Sequence, residues 1–193
     1  MKLVIVKYNA GNIRSVTFAL ERIGVQAIVT DNKEEIQTAD KVIFPGVGEA
    51  SSAMKYLKER ELDKVIVSLN QPVLGICLGM QLMCNYSEEG DTTCLGIFNQ
   101  QVKKFKGSLK VPQIGWNKIN RLQSPLFTGI NENEYMYFVH SYYAELGENT
   151  IAQTDYDLTY SSALYKNNFY AAQFHPEKSS ASGQKLLENF IKM

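Results

Sequence analysis

The sequence predicts an α/β fold: a single domain over 1–193, with a mostly parallel central sheet, helices on both faces and an antiparallel C-terminal portion. Three observations lead there. In the first half, short continuous apolar runs alternate with segments of helical period, as in β-α units whose strands are buried on both faces. In the second half, strand-like runs follow one another across short gaps, with no long helix between them. No repeat, low-complexity tract or Pro/Gly/Ser linker divides the 193 residues, a length that suits one sizeable core.

The elements follow in order. LVIV (Leu3–Val6) reads as a buried strand. Ile13, Val16, Leu20 and Ile23 recur at helical spacing, and Gly24 is placed to end that helix. Strand signals return at Ala27–Val29 and Val42–Phe44, the latter running into PGVG (Pro45–Gly48). A helix from about Ala50 to Arg60 precedes a second reaching Leu69. Pro72 introduces the buried strand Val73–Ile76, and LGMQLMCNY reads as a helix. From about Leu95 the pattern changes to the strand-like runs MYFVHSYYAEL, IAQTDY, SSALYK and FYAAQF. The Asn167-Asn168 pair between the last two suggests a hairpin turn. A closing helix from about Ser180 to Ile191 presents Leu186, Leu187, Phe190 and Ile191. Together the strands read as one mixed sheet, parallel at its centre and antiparallel toward one edge.

Composition excludes several functions. Twenty Lys and Arg balance twenty Asp and Glu, so no basic surplus points to nucleic acid. The N-terminal apolar run is four residues between two lysines, too short for a signal segment or a membrane span. Three cysteines without an export signal are expected to be reduced thiols in the cytoplasm. Their spacings, C-x6-C and C-x9-C, fit no zinc pattern, and the chain has only two histidines, so no metal site is expected.

Cys77 stands where the strand VLGI stops and a helix begins, between Gly75 and Gly79. G-I-C-L-G is the cysteine form of a nucleophile elbow. A helix N-terminus favours the thiolate, and the Leu78 N–H would point at an oxyanion formed on the attacked carbonyl. The same pentapeptide also suits a small buried cysteine whose glycines serve packing alone. Cys84 lies in an apolar stretch and reads as core; Cys94, in a loop beside Thr92 and Thr93, has no activating context and is left open. A cysteine nucleophile needs a base and an orienting group. His175, in AAQFHPEK, has Pro176 after it and Glu177 two residues on, close enough to fix its tautomer. His140, inside YFVHSYY, reads as a satisfied core or near-site histidine.

GICLGMQ (Gly75–Gln81) and FHPEK (Phe174–Lys178), in this order and separation, resemble the class I, triad-type glutamine amidotransferases, and the likeness covers essentially the whole chain. It implies that family's fold, with Cys77 as nucleophile, His175 as general base and acid, and Glu177 orienting His175. A closer resemblance is to the glutaminase subunits of imidazole glycerol phosphate synthases. YNAGNIRSV (Tyr8–Val16), PGVG (Pro45–Gly48), PQIGWN (Pro112–Asn117) and FVHSYY (Phe138–Tyr143) carry it. Lys7, Asn9 and Gln113 depart from that pattern and bear on the partner contact.

The resemblance implies hydrolysis of L-glutamine through a cysteinyl thioester, without a cofactor. It implies direct passage of ammonia to a (β/α)₈-barrel cyclase subunit in a heterodimer. The Val47 and Leu78 N–H groups would form the oxyanion hole, although PGVG alone reads as a plain strand-to-helix turn. Gln81 would meet the α-amino and carboxylate ends of glutamine, Glu89 the α-ammonium, and Ser141 and Tyr142 would line the site. Without the family, SEEG (Ser87–Gly90) reads as a solvated helix end. Asn12, Arg14, Trp116, Asn117 and Lys178 would face the partner, Trp116 as an exposed anchor rather than a core residue. Two alternatives are a glutaminase serving another synthase, of a surface-sugar or cofactor pathway, and a catalytically silent regulatory subunit.

Overall fold

The computed structural model describes residues 1–9 and 11–193; Ala10, within the Tyr8–Val16 segment, lies outside the described residues. The strands are β1 (Leu3–Val6), β2 (Ala27–Thr30), β3 (Lys41–Gly46), β4 (Val73–Cys77), β5 (Tyr86–Ser87), β6 (Thr92–Thr93), β7 (Gln101–Lys104), β8 (Gln113–Lys118), β9 (Tyr135–His140), β10 (Tyr142–Ala144), β11 (Thr150–Tyr156), β12 (Leu158–Lys166) and β13 (Phe169–Ala172). The helices are α1 (Ile13–Arg22), α2 (Lys33–Gln37), α3 (Ala50–Glu59), α4 (Leu62–Val67), α5 (Leu78–Met83) and α6 (Ser180–Lys192).

The main sheet runs β2-β1-β3-β4-β13-β12-β10-β7-β5-β6, with β11 also paired to β12. Pairing is parallel from β2 to β13 and antiparallel from β13 through β12 and β10 to β7. This is the α/β arrangement that the apolar runs predict. Strand side chains alternate between faces. Leu3 and Ile5 of β1 pack with Val16, Leu20, Leu186 and Phe190 of α1 and α6, while Val4 and Val6 join the cluster of Met54, Leu57, Leu62 and Ile66. Helices therefore cover both faces, and β3, β4 and β13 are sealed between them.

Three features differ from the sequence reading. The strand-like run after Tyr135 is two strands, because the chain changes sheets at Ser141. β10 joins the main sheet, whereas β9 pairs with β8 in a separate two-stranded ribbon. The helix after Cys77 stops at Met83 instead of running through Tyr86. Returning chain caps it: the N–H groups of Leu95 and Ile97 reach the carbonyls of Leu82 and Met83 at 2.8 and 3.0 Å. Finally, the GWN segment, which is not among the strand-like runs read from the sequence, lies in β8, where Gly115 takes φ +131°.

The loop at Cys94 is packed rather than open. β6 pairs with β5, and the Cys94 thiol is buried, its pKa raised by that burial to about 12. Cys84 is fully buried with its pKa raised for the same first reason. Among the described residues, no helix is long and apolar enough to cross a membrane, and no group of three or more His, Cys, Asp or Glu could hold a metal ion.

Candidate active site

The register of three neighbouring parallel strands assembles the site. Gly46 at the end of β3 pairs with Cys77 at the end of β4, and Ala172 at the end of β13 pairs with Ile76. The loop after β3, the nucleophile elbow after β4 and the segment carrying His175 after β13 thus emerge side by side. Carboxyl ends of parallel strands are where open α/β sheets bind ligands.

Cys77 has φ 53° and ψ −108°, a conformation strained for a residue with a Cβ. Close packing of α5 onto the sheet holds it there. A Cβ on Gly79 would lie 1.8 Å from the Phe44 carbonyl oxygen, and one on Gly75 would lie 2.8 Å from Met83 Sδ. The Cys77 sulfur lies 3.8 Å from the Val139 carbonyl oxygen and 3.7 Å from Gln173 Nε2.

His175 and Glu177 are buried behind the sulfur. Nδ1 of His175 donates to Glu177 Oε1 at 2.7 Å, which leaves Nε2 as the nitrogen for proton transfer. Among the described residues Nε2 has no hydrogen-bond partner. Pro176 begins the single turn Pro176–Lys178, which swings Glu177 back under the imidazole. The turn is braced by Ser179, whose Oγ donates to the His175 carbonyl at 2.6 Å and accepts the Tyr137 N–H at 2.9 Å. Burial pulls the His175 pKa down. The proximity of Cys77, then the hydrogen bond to Glu177 and its charge, outweigh that and push it up to about 10. The arrangement favours the imidazolium form of His175 beside the Cys77 sulfur.

Asn12, expected at a partner surface, turns inward. Left-handed at φ 77°, it donates from Nδ2 to Glu177 Oε1. Its 3.3 Å approach to His175 Nδ1 brings two donors together, because Nδ1 already directs its proton at Glu177. Two further residues went unpredicted. Gln173 precedes His175 by two, in the bend that follows β13. Tyr8, after β1, is buried; its hydroxyl has no partner among the described residues, and a Cβ on Gly46 would lie 2.0 Å from it.

A cavity of about 260 Å³ opens at the sulfur. Val47, Cys77, Leu78, Gln81, Glu89, Ser141 and Tyr142 line it, together with Val139 and His140. All four residues expected at a substrate therefore meet there. Gln81 is more constrained than expected. Its Nε2 donates to the Tyr142 carbonyl and to Gln173 Oε1, both at 2.9 Å, which commits both amide protons. Only its oxygen remains for a ligand, which suits an ammonium and not a carboxylate. Glu89 is no solvated helix end. Its Oε2 accepts the Ala50 N–H at 2.8 Å at the start of α3, and burial raises its pKa despite that bond. Leu78 is the first residue of α5, so its N–H is among those an α-helix leaves unpaired. Val47 is partly exposed, and its carbonyl accepts the Gly11 N–H at 3.3 Å.

The profile of the family described as "Glutamine amidotransferase class-I" matches residues 4–193. The chain belongs to the class-I glutamine amidotransferases. Within this family it is 57% identical to a Bacteroides fragilis protein named imidazole glycerol phosphate synthase subunit HisH, with all of both chains covered. A Pasteurella multocida protein of the same name is 46% identical, covering 98% of this chain and 96% of its own. Among solved structures, PurLQS from Thermotoga maritima aligns with a TM-score of 0.74 at 14% identity, covering 99% of this chain and 97% of its own. A glutamine amidotransferase from the same organism aligns at 0.66 and 15%, covering 100% and 83%. At such identity the structures speak for the amidotransferase fold alone.

His140, the other histidine of this amidotransferase, is buried, with its ring nitrogens 2.7 Å from the Tyr142 carbonyl and 3.2 Å from the Tyr160 hydroxyl. Burial lowers its pKa from the usual 6.5 to about 4. The two imidazoles are thus driven in opposite directions. In an NMR titration, one Cε1 proton is expected to respond near pH 4 and the other near pH 10. Cys77→Ala is expected to lower the second, since it removes the leading upward influences. The signs for stability also differ. What neutral His140 contributes is present above pH 6.5 and is lost as pH falls toward 4. What charged His175 contributes is full below 6.5 and is lost as pH rises through 10.

Proposed function

We propose that this chain is the cytoplasmic glutaminase subunit of an imidazole glycerol phosphate synthase. It hydrolyses L-glutamine and passes ammonia to a (β/α)₈-barrel cyclase that forms imidazole glycerol phosphate and an aminoimidazole carboxamide ribotide. The observation that carries the chemistry is a cavity that opens at Cys77, with the hydrogen-bonded pair of His175 and Glu177 buried behind the sulfur. The pathway rests on full-length relatives at 57% identity that bear the synthase subunit's name.

The Cys77 thiolate attacks the side-chain amide carbon of glutamine, and the oxyanion is met by the Leu78 and Val47 N–H groups. His175, held as the imidazolium beside the thiolate, delivers its Nε2 proton to the departing ammonia. The neutral imidazole then takes a proton from water, which hydrolyses the thioester to glutamate. Glu177 keeps Nδ1 protonated throughout, and Asn12 holds Glu177 in place. The Gln81 oxygen and the Glu89 carboxylate receive the α-ammonium, with Ser141 and Tyr142 closing the wall.

Ammonia released to water would be protonated and lost to the synthase, so a partner must cover the exit. The ribbon beside the site suits one. Ile114, Trp116 and Tyr135 are 59%, 49% and 51% exposed on its outer face, together with Tyr137, whose ring meets Trp116 edge-on at 5.8 Å. Arg14 and Lys178 are exposed, and Lys178 follows the triad's Glu177 directly. Asn117 and Gln113 are less available to a partner. Asn117 donates to the Asp155 carbonyl, and Gln113 is buried against Tyr160.

Glutamate release with and without the candidate cyclase and its ligand tests this reading. Faster glutamate release with the loaded cyclase than from the free chain is expected. A complex that forms without stimulation would sink the histidine-pathway assignment.

A further inference from the structure

The chemistry above leaves two polar contacts of the nucleophile unused. As a thiol, Cys77 can donate to the Val139 carbonyl and accept from Gln173 Nε2. On losing its proton it keeps only the second contact, and the Val139 oxygen becomes an unfavourable neighbour. Gln173 is fully buried, so its amide has no water to fall back on. Its orientation is not free either. Gln173 Oε1 accepts from Gln81 Nε2, which turns the Gln173 NH₂ toward the sulfur, and the other Gln81 proton is fixed on the Tyr142 carbonyl. Donation therefore runs along buried links, from the cavity wall at Gln81 through Gln173 to the nucleophile.

We propose that Gln173 belongs to the nucleophile's machinery: its amide N–H stabilises the Cys77 thiolate, and Gln81 holds it in the orientation that does so. The inference deepens the glutaminase reading and rests on it. It gives Gln81 a second task, with its oxygen facing the substrate and its nitrogen setting the group that supports the sulfur. The titratable groups around Cys77 are His175 with Glu177, Tyr8, and His140 and Glu89 in the cavity wall. None is altered by changing Gln173.

The test is the pH dependence of Cys77 alkylation by iodoacetamide in the intact chain, followed by mass spectrometry of the Cys77 peptide. Gln173→Met keeps the volume and removes the donor. It is expected to raise the thiolate midpoint by about one pH unit, the size of one charge-assisted hydrogen bond, or about tenfold less thiolate below the midpoint. Gln173→Glu places a carboxylate against the sulfur and is expected to raise the midpoint further. Gln81→Met, which frees the amide to rotate, is expected to raise it as well, and it decides the matter should both Gln173 variants fail to fold. Midpoints equal to wild type in folded variants would reduce Gln173 to a packing residue and overturn the proposal. Alkylation needs no glutamine, so a wild-type chain that alkylates normally but releases no glutamate would sink the glutaminase reading separately.

Discussion

Cys77→Ala is expected to abolish glutamate release from the cyclase complex, a loss of ~10⁴-fold or more, while leaving the fold intact. His175→Ala should cost nearly as much, because the two act as one unit and removing either disables the other. Glu177→Gln should cost ~10²–10⁴-fold, since a neutral amide neither fixes the Nδ1 proton nor balances the imidazolium. Stability separates the strain at the elbow from its chemistry. Cys77 holds a left-handed φ of 53°, and alanine keeps the offending Cβ whereas glycine does not. Cys77→Gly is therefore expected to be about 1–2 kcal/mol more stable than Cys77→Ala, in denaturant unfolding at pH 7, and equally inactive.

Two glycine substitutions should have effects of similar size by a different route. A Cβ on Gly79 would lie 1.8 Å from the Phe44 carbonyl oxygen, and one on Gly183 would lie 2.0 Å from the Pro176 carbonyl oxygen. Both obstacles are backbone, so no rotamer change relieves them. Gly79→Ala drives α5 off the central sheet and is expected to destabilise the chain by about 3 kcal/mol or more. Gly183→Ala acts on a smaller unit, pushing α6 away from the turn that carries His175 and Glu177. Misplacement of a catalytic group by about 1 Å can cost ~10²-fold. Gly183→Ala should therefore remain folded by circular dichroism and lose turnover out of proportion to its loss of stability.

The buried centre of the sheet was legible because LVIV, VIF and VLGI carry no polar residue to confuse the period. Cys77 was legible because it ends such a strand between Gly75 and Gly79, and His175 because it follows the strand-like run FYAAQF and precedes Pro176. The short strands β5 and β6 were not, since two residues carry no periodicity. Nor was the change of sheet at Ser141, where YFVHSYY keeps a strand-like composition across a break that only tertiary pairing reveals. Asn12 looked like a surface residue because the fold, and not its local sequence, brings it to Glu177. Gln81 was recognised as a site residue, but its committed amide protons could not be, since both acceptors lie more than sixty positions away.

β13 lies between β4 and β12, yet it is the last strand to be made. By the time β12 has been made, Cys77 and every residue of the cavity wall have been made too, but His175 has not. Until β13 inserts, β4 and β12 are unpaired edges, open to mispairing with other chains. The insertion is also a long-range event in sequence, of the kind that slows folding. One step thus closes the sheet and brings His175 beside the sulfur. A chain in which β13 has not inserted carries Cys77 at a half-built sheet, without His175 beside it.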